Sequence, residues 1–512
     1  MSDQPDAPAD LPQLRALDPT AAPRASSGEP PSPTLYIPNR LLVSGFPSTE
    51  RDLRLDDLHA ALQPQGLSAR HTAKTLRRIG RLSNTRGPQR DLLNQIWVST
   101  VVLEPDEAGA AAPDAWAVLQ KLRDSASADL LARLSLEHVV RPAGYWGGIG
   151  YWGGIPYWGG IPYWGGIPYW GGIGSNSLSE YLVPGRGGRM PVSVALQDPA
   201  LRARALPRNP VVAVLDTVVA EHPWFTDPKR VLRLAVSDGE LVPDATALAP
   251  TPLNLLTGEA PPVQGHGTFI AGLIRQGCPE ATILTIPVMN DEGVAEEGDV
   301  LDALTALLQR HIAGQDANRP GDCVDVVSLS LGYYAEDQSY LSSPVKVLLD
   351  RFAEQGILVV AGVGNDASTQ PFVPAALSAD PPARITATSK PPLASVGALN
   401  PDVSSIALFS NELPLVSAYR AGVSVISTYP QVDGAGEPST VTADRRRSTV
   451  DPDDYSGGFA AWSGTSFSTP VLAAELAAQL AASGDDLTDV GIAAMRKRAI
   501  KALKTCLGRQ QP

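Results

Sequence analysis

Residues 211–399 contain five short apolar runs: VVAVLD (211–216), ATILTIPV (281–288), VDVVSLSL (324–331), GILVVAG (356–362) and LASVGAL (393–399). Continuous apolar runs of this length are typical of strands that are buried on both faces of a sheet. Segments with apolar residues at helical spacing lie between them, such as GDVLDALTALLQRHIAG and PVKVLLDRFAEQ. Alternating strands and helices predict an α/β fold with a mostly parallel sheet flanked by helices, in a domain covering 210–512.

The residues before this domain divide into three stretches. Residues 1–33 are rich in Pro, Ala, Ser and Asp, and they predict a disordered tail because they offer little apolar surface to bury. Residues 34–142 combine strand-like runs with helical patterns and predict a small α+β domain. Residues 143–209 are expected to form a repeat followed by a linker.

The repeat occupies 145–174 and reads YWGGIG, then YWGGIP three times, then YWGGIG. Its Gly pairs and its prolines argue against a regular helix. Three interpretations stay open: a low-complexity linker, a recognition segment whose aromatic side chains dock on a partner or on the catalytic cleft, and tandem copies of an excised peptide. Exposed aromatic side chains in such number form an apolar surface, which keeps the second and third interpretations in view.

Composition excludes several classes of protein. The 512 residues carry a net charge of −13, which argues against a general nucleic-acid binder. No run of 18 apolar residues is present, so no membrane span is expected, and the N-terminus lacks the basic start and apolar core of a secretory signal. The three cysteines lack metal-ligand spacing. We therefore expect a cytoplasmic protein with no metal site and no cofactor.

Three polar residues stand where catalytic groups of such sheets are found. Asp216 ends the first apolar run, at the carboxyl end of a predicted strand. His266 lies between two glycines ahead of a helical pattern, and Ser466 lies at the start of another in WSGTSFSTPVLAAELAAQLAA (462–482). An Asp, a His and a Ser in these settings suggest nucleophilic acyl transfer, with Ser466 as nucleophile, His266 as general base and Asp216 orienting the imidazole.

A tetrahedral intermediate also needs donors for its oxyanion. The backbone N–H of Ser466 at a helix start is one candidate. The other is the carboxamide of Asn365, which follows a buried strand and a Gly-rich turn in GILVVAGVGNDAS (356–368).

At this point the chain resembles a known family. The blocks VAVLDT, GHGTFIAGLI, SLSLG, VVAGVGND and SGTSFSTP are similar to those of subtilisin-like serine proteases, in that family's order Asp, His, Asn, Ser. The resemblance covers about 210–505 and implies Asp216, His266 and Ser466 as the triad and Asn365 as the oxyanion side chain. It also implies a subtilisin-like fold. Members of this family often carry an N-terminal propeptide, so the resemblance implies that role for the 34–142 domain, with a fixed targeting domain as the alternative.

The resemblance further implies where a substrate binds. Ser330, Leu331 and Gly332 are expected to form an edge strand that pairs with a peptide backbone, a mode of binding that is largely independent of sequence. Gly362, Val363 and Gly364 are expected to line part of the pocket for the residue ahead of the cut.

The sequence also departs from the family. Val218 stands where the family usually has Gly, and an unusual backbone angle there would strain Val. Residues 431–458 are predicted to be an inserted surface loop that borders the cleft. No calcium-ligand set is identified, and calcium binding is left open.

The leading functional hypothesis is a cytoplasmic serine endopeptidase that acts on peptides or proteins through an acyl-enzyme intermediate. A second is a dedicated processing protease that cuts its own YWGGIP repeat. A third, from another class, is a catalytically impaired scaffold that binds peptides, with the aromatic repeat docking on a partner.

Overall fold

The chain is described by a computed structural model over residues 13–23, 30–143, 189–192, 196–244, 260–386, 388–432 and 455–508. The YWGGIP repeat and most of the predicted insertion at 431–458 lie outside these residues. The chain forms two compact units. The first comprises the residues up to Val139 together with Tyr333–Ser339, and the second comprises Val140–Gly332 and the residues from Tyr340 onward.

The first unit is an antiparallel sheet with helices. Its strands are β1 (Arg15–Ala16), β2 (Leu35–Ser44), β3 (Leu67–His71), β4 (Val98–Pro105) and β5 (Leu134–Pro142), whose last three residues belong to the second unit. Its helices are α1 (Glu50–Leu53), α2 (Asp56–Leu62), α3 (Ala73–Leu82), α4 (Pro88–Ile96), α5 (Ala115–Ser125) and α6 (Ala128–Leu131). Strand β2 lies between β4 and β5, and β3 pairs with β4.

Local sequence explains the helix boundaries here. The Asp114 carboxylate accepts a hydrogen bond from the Ala117 N–H and caps α5, as expected for Asp ahead of a helical pattern. The helical pattern between residues 52 and 63 is divided into α1 and α2, because Leu55 adopts a left-handed backbone conformation with φ of 58°.

Part of the predicted disordered tail is ordered. Arg15 and Ala16 pair with β2, and Leu17 is buried in the core of the first unit. The indole N–H of Trp116 also donates to the Pro23 carbonyl. The prediction of disorder over 1–33 is therefore wrong for the described residues 13–23, because their few apolar side chains find partners far along the chain.

The second unit contains the predicted parallel sheet. Its strands are β6 (Met190–Pro191), β7 (Val211–Asp216), β8 (Val231–Ser237), β9 (Glu240–Pro243), β10 (Thr282–Pro287), β11 (Ala295–Glu296), β12 (Val326–Leu329), β13 (Leu331–Tyr334, of which Leu331 and Gly332 belong to this unit), β14 (Leu358–Gly362), β15 (Phe372–Val373), β16 (Ala394–Leu399), β17 (Ala418–Ala421), β18 (Val425–Thr428) and β19 (Phe459–Trp462). Its helices are α7 (His266–Gly277), α8 (Glu297–Asp316), α9 (Pro344–Gln355), α10 (Thr465–Ala482) and α11 (Ile492–Leu507).

The main sheet runs in the order β17–β16–β14–β12–β7–β10–β8–β9, and every neighbouring pair is parallel except β8 and β9. Helices α7 and α10 pack against each other and against this sheet. A Cβ on Gly277 of α7 would lie 2.6 Å from the Cβ of Ala474 in α10, so glycine permits the close contact. The carboxyl ends of β7, β12 and β14 lie at one edge, where the polar residues of the site follow them.

Residues 189–191, which were predicted to belong to a linker, are part of this unit. Met190 and Pro191 pair with Ala461 and Ala460 of β19. The guanidinium of Arg189 is buried and donates to the carbonyls of Ala260, Pro261, Pro262 and Gln264. Composition alone suggested a linker, because it cannot show contacts between residues that are about seventy positions apart.

Candidate active site

Asp216 and His266 form a buried hydrogen-bonded pair. Asp216 is the last residue of β7, and His266 is the first residue of α7. The His266 Nδ1 lies 2.7 Å from Asp216 Oδ1, which also accepts a hydrogen bond from the Thr217 N–H. Since the carboxylate accepts, Nδ1 carries the proton and Nε2 of a neutral imidazole presents its lone pair. In the described part of the chain, Nε2 is buried without a hydrogen-bond partner.

The two glycines beside His266 have separate structural roles. Gly265 has φ of 77°, a left-handed conformation that turns the chain into α7. Gly267 lies against Thr217, and a Cβ there would lie 3.1 Å from the Thr217 carbonyl carbon. The close approach places the first turn of α7 directly beside the end of β7.

Ser466 is the second residue of α10 and is fully buried. Its Oγ donates to the Ser330 carbonyl at 3.2 Å, while the Ser330 hydroxyl donates back to the Ser466 carbonyl at 2.8 Å. The Ser466 hydroxyl is therefore engaged with Ser330 in this structure. Among the described residues, the Nε2 of His266 therefore has no hydrogen bond from this hydroxyl.

Asn365 and Thr465 hold one peptide carbonyl between them. The Thr465 N–H donates to Asn365 Oδ1 at 2.8 Å, which fixes the orientation of the carboxamide. The Asn365 Nδ2 donates to the Ala143 carbonyl, and the Thr465 hydroxyl donates to the same oxygen at 3.0 Å. A carbonyl that accepts two such bonds at the start of α10 occupies the position expected for a developing oxyanion.

The predicted edge strand pairs with residues of this chain. Leu331 is opposite Pro142 and Gly332 is opposite Arg141, in antiparallel register. The Ala143 N–H donates to the Ser330 carbonyl at 2.8 Å. Residues 141–143 thus lie along Ser330, Leu331 and Gly332 as an extended peptide would.

The three predicted pocket residues lie in different surroundings. A Cβ on Gly362 would lie 3.0 Å from the Cβ of Ala143, so Gly362 borders the side chain of Ala143. Val363 is buried, and its carbonyl accepts from Asn411 Nδ2 at 2.9 Å. Gly364 has φ of 98°, and its N–H donates to the Thr465 hydroxyl at 3.2 Å.

The sequence analysis missed two residues that form hydrogen bonds in the candidate site. Thr465 was available in the motif that contains Ser466, since a hydroxyl beside Ser466 at a helix start can reach the same oxygen. Ala143 gives no comparable local signal, because RPAG (141–144) has no motif and the donors to the Ala143 carbonyl lie 222 or more positions away.

Val218 does not show the strain that the sequence suggested. It is absent from the non-glycine residues with positive φ in the described part of the chain. The expectation of an unfavourable backbone angle at this position is wrong, because the backbone leaves β7 without a left-handed residue there.

Aromatic side chains pack against the imidazole of His266. His266 contacts Trp462 and Phe467, with ring centroids 5.5 and 5.3 Å away, and Phe269 packs behind them. Arg189 lies over the Trp462 ring at 5.3 Å. This packing holds the imidazole ring in the orientation in which Nδ1 donates to Asp216.

The described residues contain no group of three or more His, Cys, Asp or Glu side chains placed to hold a metal ion. Nor does any helix among them have the length and apolar character needed to cross a bilayer. All three cysteines are buried and none forms a disulfide, and burial raises the pKa of the Cys278 thiol to about 12.

Comparison with known proteins identifies the family. Residues 207–505 match the model of the Subtilase family, peptidase S8, which is more than half of the chain. The Subtilase-type proteinase RRT12 of Saccharomyces cerevisiae is 28% identical over 167 residues, which is 32% of this chain and 30% of that protein. The match thus spans less than a third of the curated relative's length.

Solved structures with similar folds include fervidolysin from Fervidobacterium pennivorans, a keratinolytic enzyme related to subtilisin. It is 17% identical, with a TM-score of 0.47, over 88% of this chain and 56% of that one. A lanthipeptide protease is 20% identical, with a TM-score of 0.37, over 52% of this chain and 72% of that one. The predicted α/β subtilisin-like fold is confirmed by the family match and by the parallel sheet. The chain belongs to the subtilase family of serine peptidases.

Proposed function

We propose that the chain is an endopeptidase that hydrolyses peptide bonds through Asp216, His266 and Ser466 by way of an acyl-enzyme intermediate. The observation that carries the proposal is the Ala143 carbonyl, which rests on Asn365 and Thr465 at the start of the helix that contains Ser466. The hydrogen-bonded Asp216–His266 pair supports it, because the free Nε2 lone pair is available to take a proton.

The proposed reaction has two halves. Ser466 Oγ attacks the carbonyl carbon of a bound peptide while its proton passes to His266 Nε2, and Asp216 stabilises the resulting imidazolium. Asn365, Thr465 and the Ser466 N–H donate to the oxyanion. The C–N bond then breaks, His266 gives the proton to the leaving amine, and water hydrolyses the ester by the same route in reverse.

Substrates are peptides or proteins in extended conformation. Support comes from the edge formed by Ser330, Leu331 and Gly332, whose backbone pairs with an extended segment in the same unit. Backbone pairing recognises a strand largely without regard to its side chains. A cytoplasmic location is part of the proposal, and it is supported by three buried cysteines that form no disulfide.

Labelling with a fluorophosphonate tests the proposal. We expect the label on Ser466 of the wild type and none on Ser466→Ala. Ser468→Ala is the matched control, since its hydroxyl lies on the same helix turn but donates to the Thr465 carbonyl. Absence of label on Ser466, together with no hydrolysis of casein, contradicts the proposal and favours the impaired scaffold.

A further inference from the structure

The ring of Phe372 lies between two backbone segments that are expected to bind substrate. One is residues 330–332, and the other is residues 362–364. Phe372 belongs to β15, which pairs with β13 at the end of its sheet, and only 4% of its surface is exposed. The proposed chemistry gives this ring no part, so its position beside both segments asks for another role.

The ring reaches from one segment to the other. A Cβ on Gly364 would lie 3.3 Å from Phe372 Cγ, the atom at which the ring begins. A Cβ on Gly332 would lie 2.6 Å from Cε1 and 2.9 Å from Cζ, the atoms at its far end. Carbon atoms in contact are normally about 3.5–4.0 Å apart, so the ring packs directly on the backbone of both glycines.

Ala143 shows where the side chain of a bound residue points. Its N–H donates to the Ser330 carbonyl, and its own carbonyl accepts from Asn365 and Thr465, the two proposed oxyanion donors. A substrate residue whose carbonyl is attacked makes the same contacts. The Ala143 methyl group lies against Gly362, so the side chain of the residue ahead of the cut enters between the two segments.

The space beyond that methyl group is taken by the ring. Glycine at 362 and at 364 would by itself leave room for a large apolar side chain. Phe372 contacts Gly332 in one segment and Gly364 in the other, and it fills the gap between them. Because the ring is buried, a larger substrate side chain displaces it only by disturbing its packed neighbours.

From this geometry we propose that Phe372 restricts the residue ahead of the cut to small side chains, namely glycine, alanine and serine. The inference rests on the proposed function and names the substrate class of that site. A leucine or phenylalanine at this position meets the ring, and its carbonyl is then held away from the oxyanion donors. The restriction acts on kcat/KM, because a misplaced carbonyl reacts slowly even in a bound peptide.

Two chromogenic peptides, one ending in Pro-Ala and the other in Pro-Phe, test the inference on the full chain. They differ only in the residue ahead of the cut, so the ratio of their kcat/KM values does not depend on how much of the protein is active. We expect the wild type to prefer Pro-Ala by about a hundredfold or more. A single methylene group in a pocket changes kcat/KM by about 10–200-fold, and phenylalanine adds a whole ring.

Two variants of Phe372 test its part in this preference. Phe372→Ala removes the ring, and the ratio should move toward Pro-Phe by about 30-fold or more. Phe372→Leu removes less volume and should move the ratio in the same direction by a smaller factor, which keeps the test available if the alanine variant does not fold.

The matched control is Phe352→Leu, which makes the same change at another buried phenylalanine. The Phe352 carbonyl accepts from the Ile357 N–H just ahead of β14, whereas Gly362 is the last residue of that strand. The control may lose stability, but its ratio should equal that of the wild type.

The two proposals fail in different ways. If the wild type cuts Pro-Phe as efficiently as Pro-Ala, or if both Phe372 variants keep the wild-type ratio, only the inference about Phe372 is overturned. The same holds if Ser466 takes the fluorophosphonate label and casein is hydrolysed while neither peptide is cut. If Ser466 is never labelled and neither casein nor either peptide is hydrolysed, the proposed function is overturned as well.

Discussion

Replacing Asn365 by alanine should slow catalysis without weakening substrate binding. The carboxamide makes two hydrogen bonds: it donates to the Ala143 carbonyl and accepts from the Thr465 N–H. The first bond strengthens when the carbonyl oxygen becomes an oxyanion, and the second only positions the amide. Truncation therefore removes an interaction that matters most in the transition state.

The size of the effect follows from burial and from the second donor. A hydrogen bond to a charged group contributes about 1.5–3 kcal/mol, and the upper part of that range applies to the oxyanion because Asn365 and Thr465 are both buried. Loss of one oxyanion donor lowers kcat by about 10²–10³ in subtilisin, a member of the same family, and this sets our expectation. Thr465 still donates, so activity does not vanish.

Thr465 provides the comparison. Thr465→Val removes one hydroxyl donor whose oxygen lies 3.0 Å from the carbonyl, and we expect a fall in kcat of about ten- to hundredfold. Thr465→Ser keeps the hydroxyl and should restore most of the rate. Asn400→Ala is a control for asparagine loss elsewhere in this unit, in a turn where its amide donates to Ser405.

The assay is steady-state hydrolysis of a chromogenic peptide that ends in Pro-Ala, the sequence of residues 142–143 that lie along the edge strand. The expected signature is a lower kcat with KM within about threefold, since ground-state binding is left to the edge strand. Thermal unfolding of each variant separates a lost donor from lost folding. If Asn365→Ala retains wild-type kcat, or changes only KM, the assignment of this carboxamide as an oxyanion donor is refuted.

Three other outcomes follow from named contacts. Burial lowers the pKa of His222 to about 4 and of His311 to about 4, so the unfolded chain binds more protons below about pH 6.5. Stability should fall as pH drops from about 6.5 to 4, and unfolding of His222→Phe in denaturant should show a shallower pH dependence. Arg189→Met leaves four carbonyls without their donor and should lower the free energy of unfolding by roughly 2–4 kcal/mol, whereas an unchanged denaturation midpoint would show that the arginine is dispensable. Gly267→Ala should cut activity at least roughly hundredfold because its methyl group meets Thr217, while Gly80→Ala, with open space around its Cα, should be as active as the wild type.

The sequence predicted best the features that depend only on residues close together along the chain. An apolar run that ends in Asp216, glycines on both sides of His266 and a helical pattern after Ser466 each depend on neighbouring residues alone. The helix Pro344–Gln355 was predicted at its observed bounds from its helical pattern, and in the structure Ser343 caps it and Gly356 ends it in a left-handed conformation. The positions of these residues in the fold could be predicted because a few consecutive residues determine where a strand ends and where a helix begins.

The remaining features depend on contacts between distant residues. Arg189 lies in a stretch rich in Gly, Arg and Pro, and nothing nearby shows that it holds the loop before His266. Ala143 lies between Pro and Gly, a pattern that predicts only a turn. The two residues were missed because their partners are fixed by the fold of the whole unit and not by spacing along the chain.

The rate of fluorophosphonate labelling, followed by peptide mapping, tests the central claim most directly. It should be measured on the wild type and on His266→Ala after the same incubation. We predict one labelled residue, Ser466, and labelling that is slower by roughly 10²–10⁴ in His266→Ala, because the imidazole takes the proton of the attacking hydroxyl. Labelling at another residue, or an equal rate in the two proteins, would contradict the assignment of Ser466 and His266.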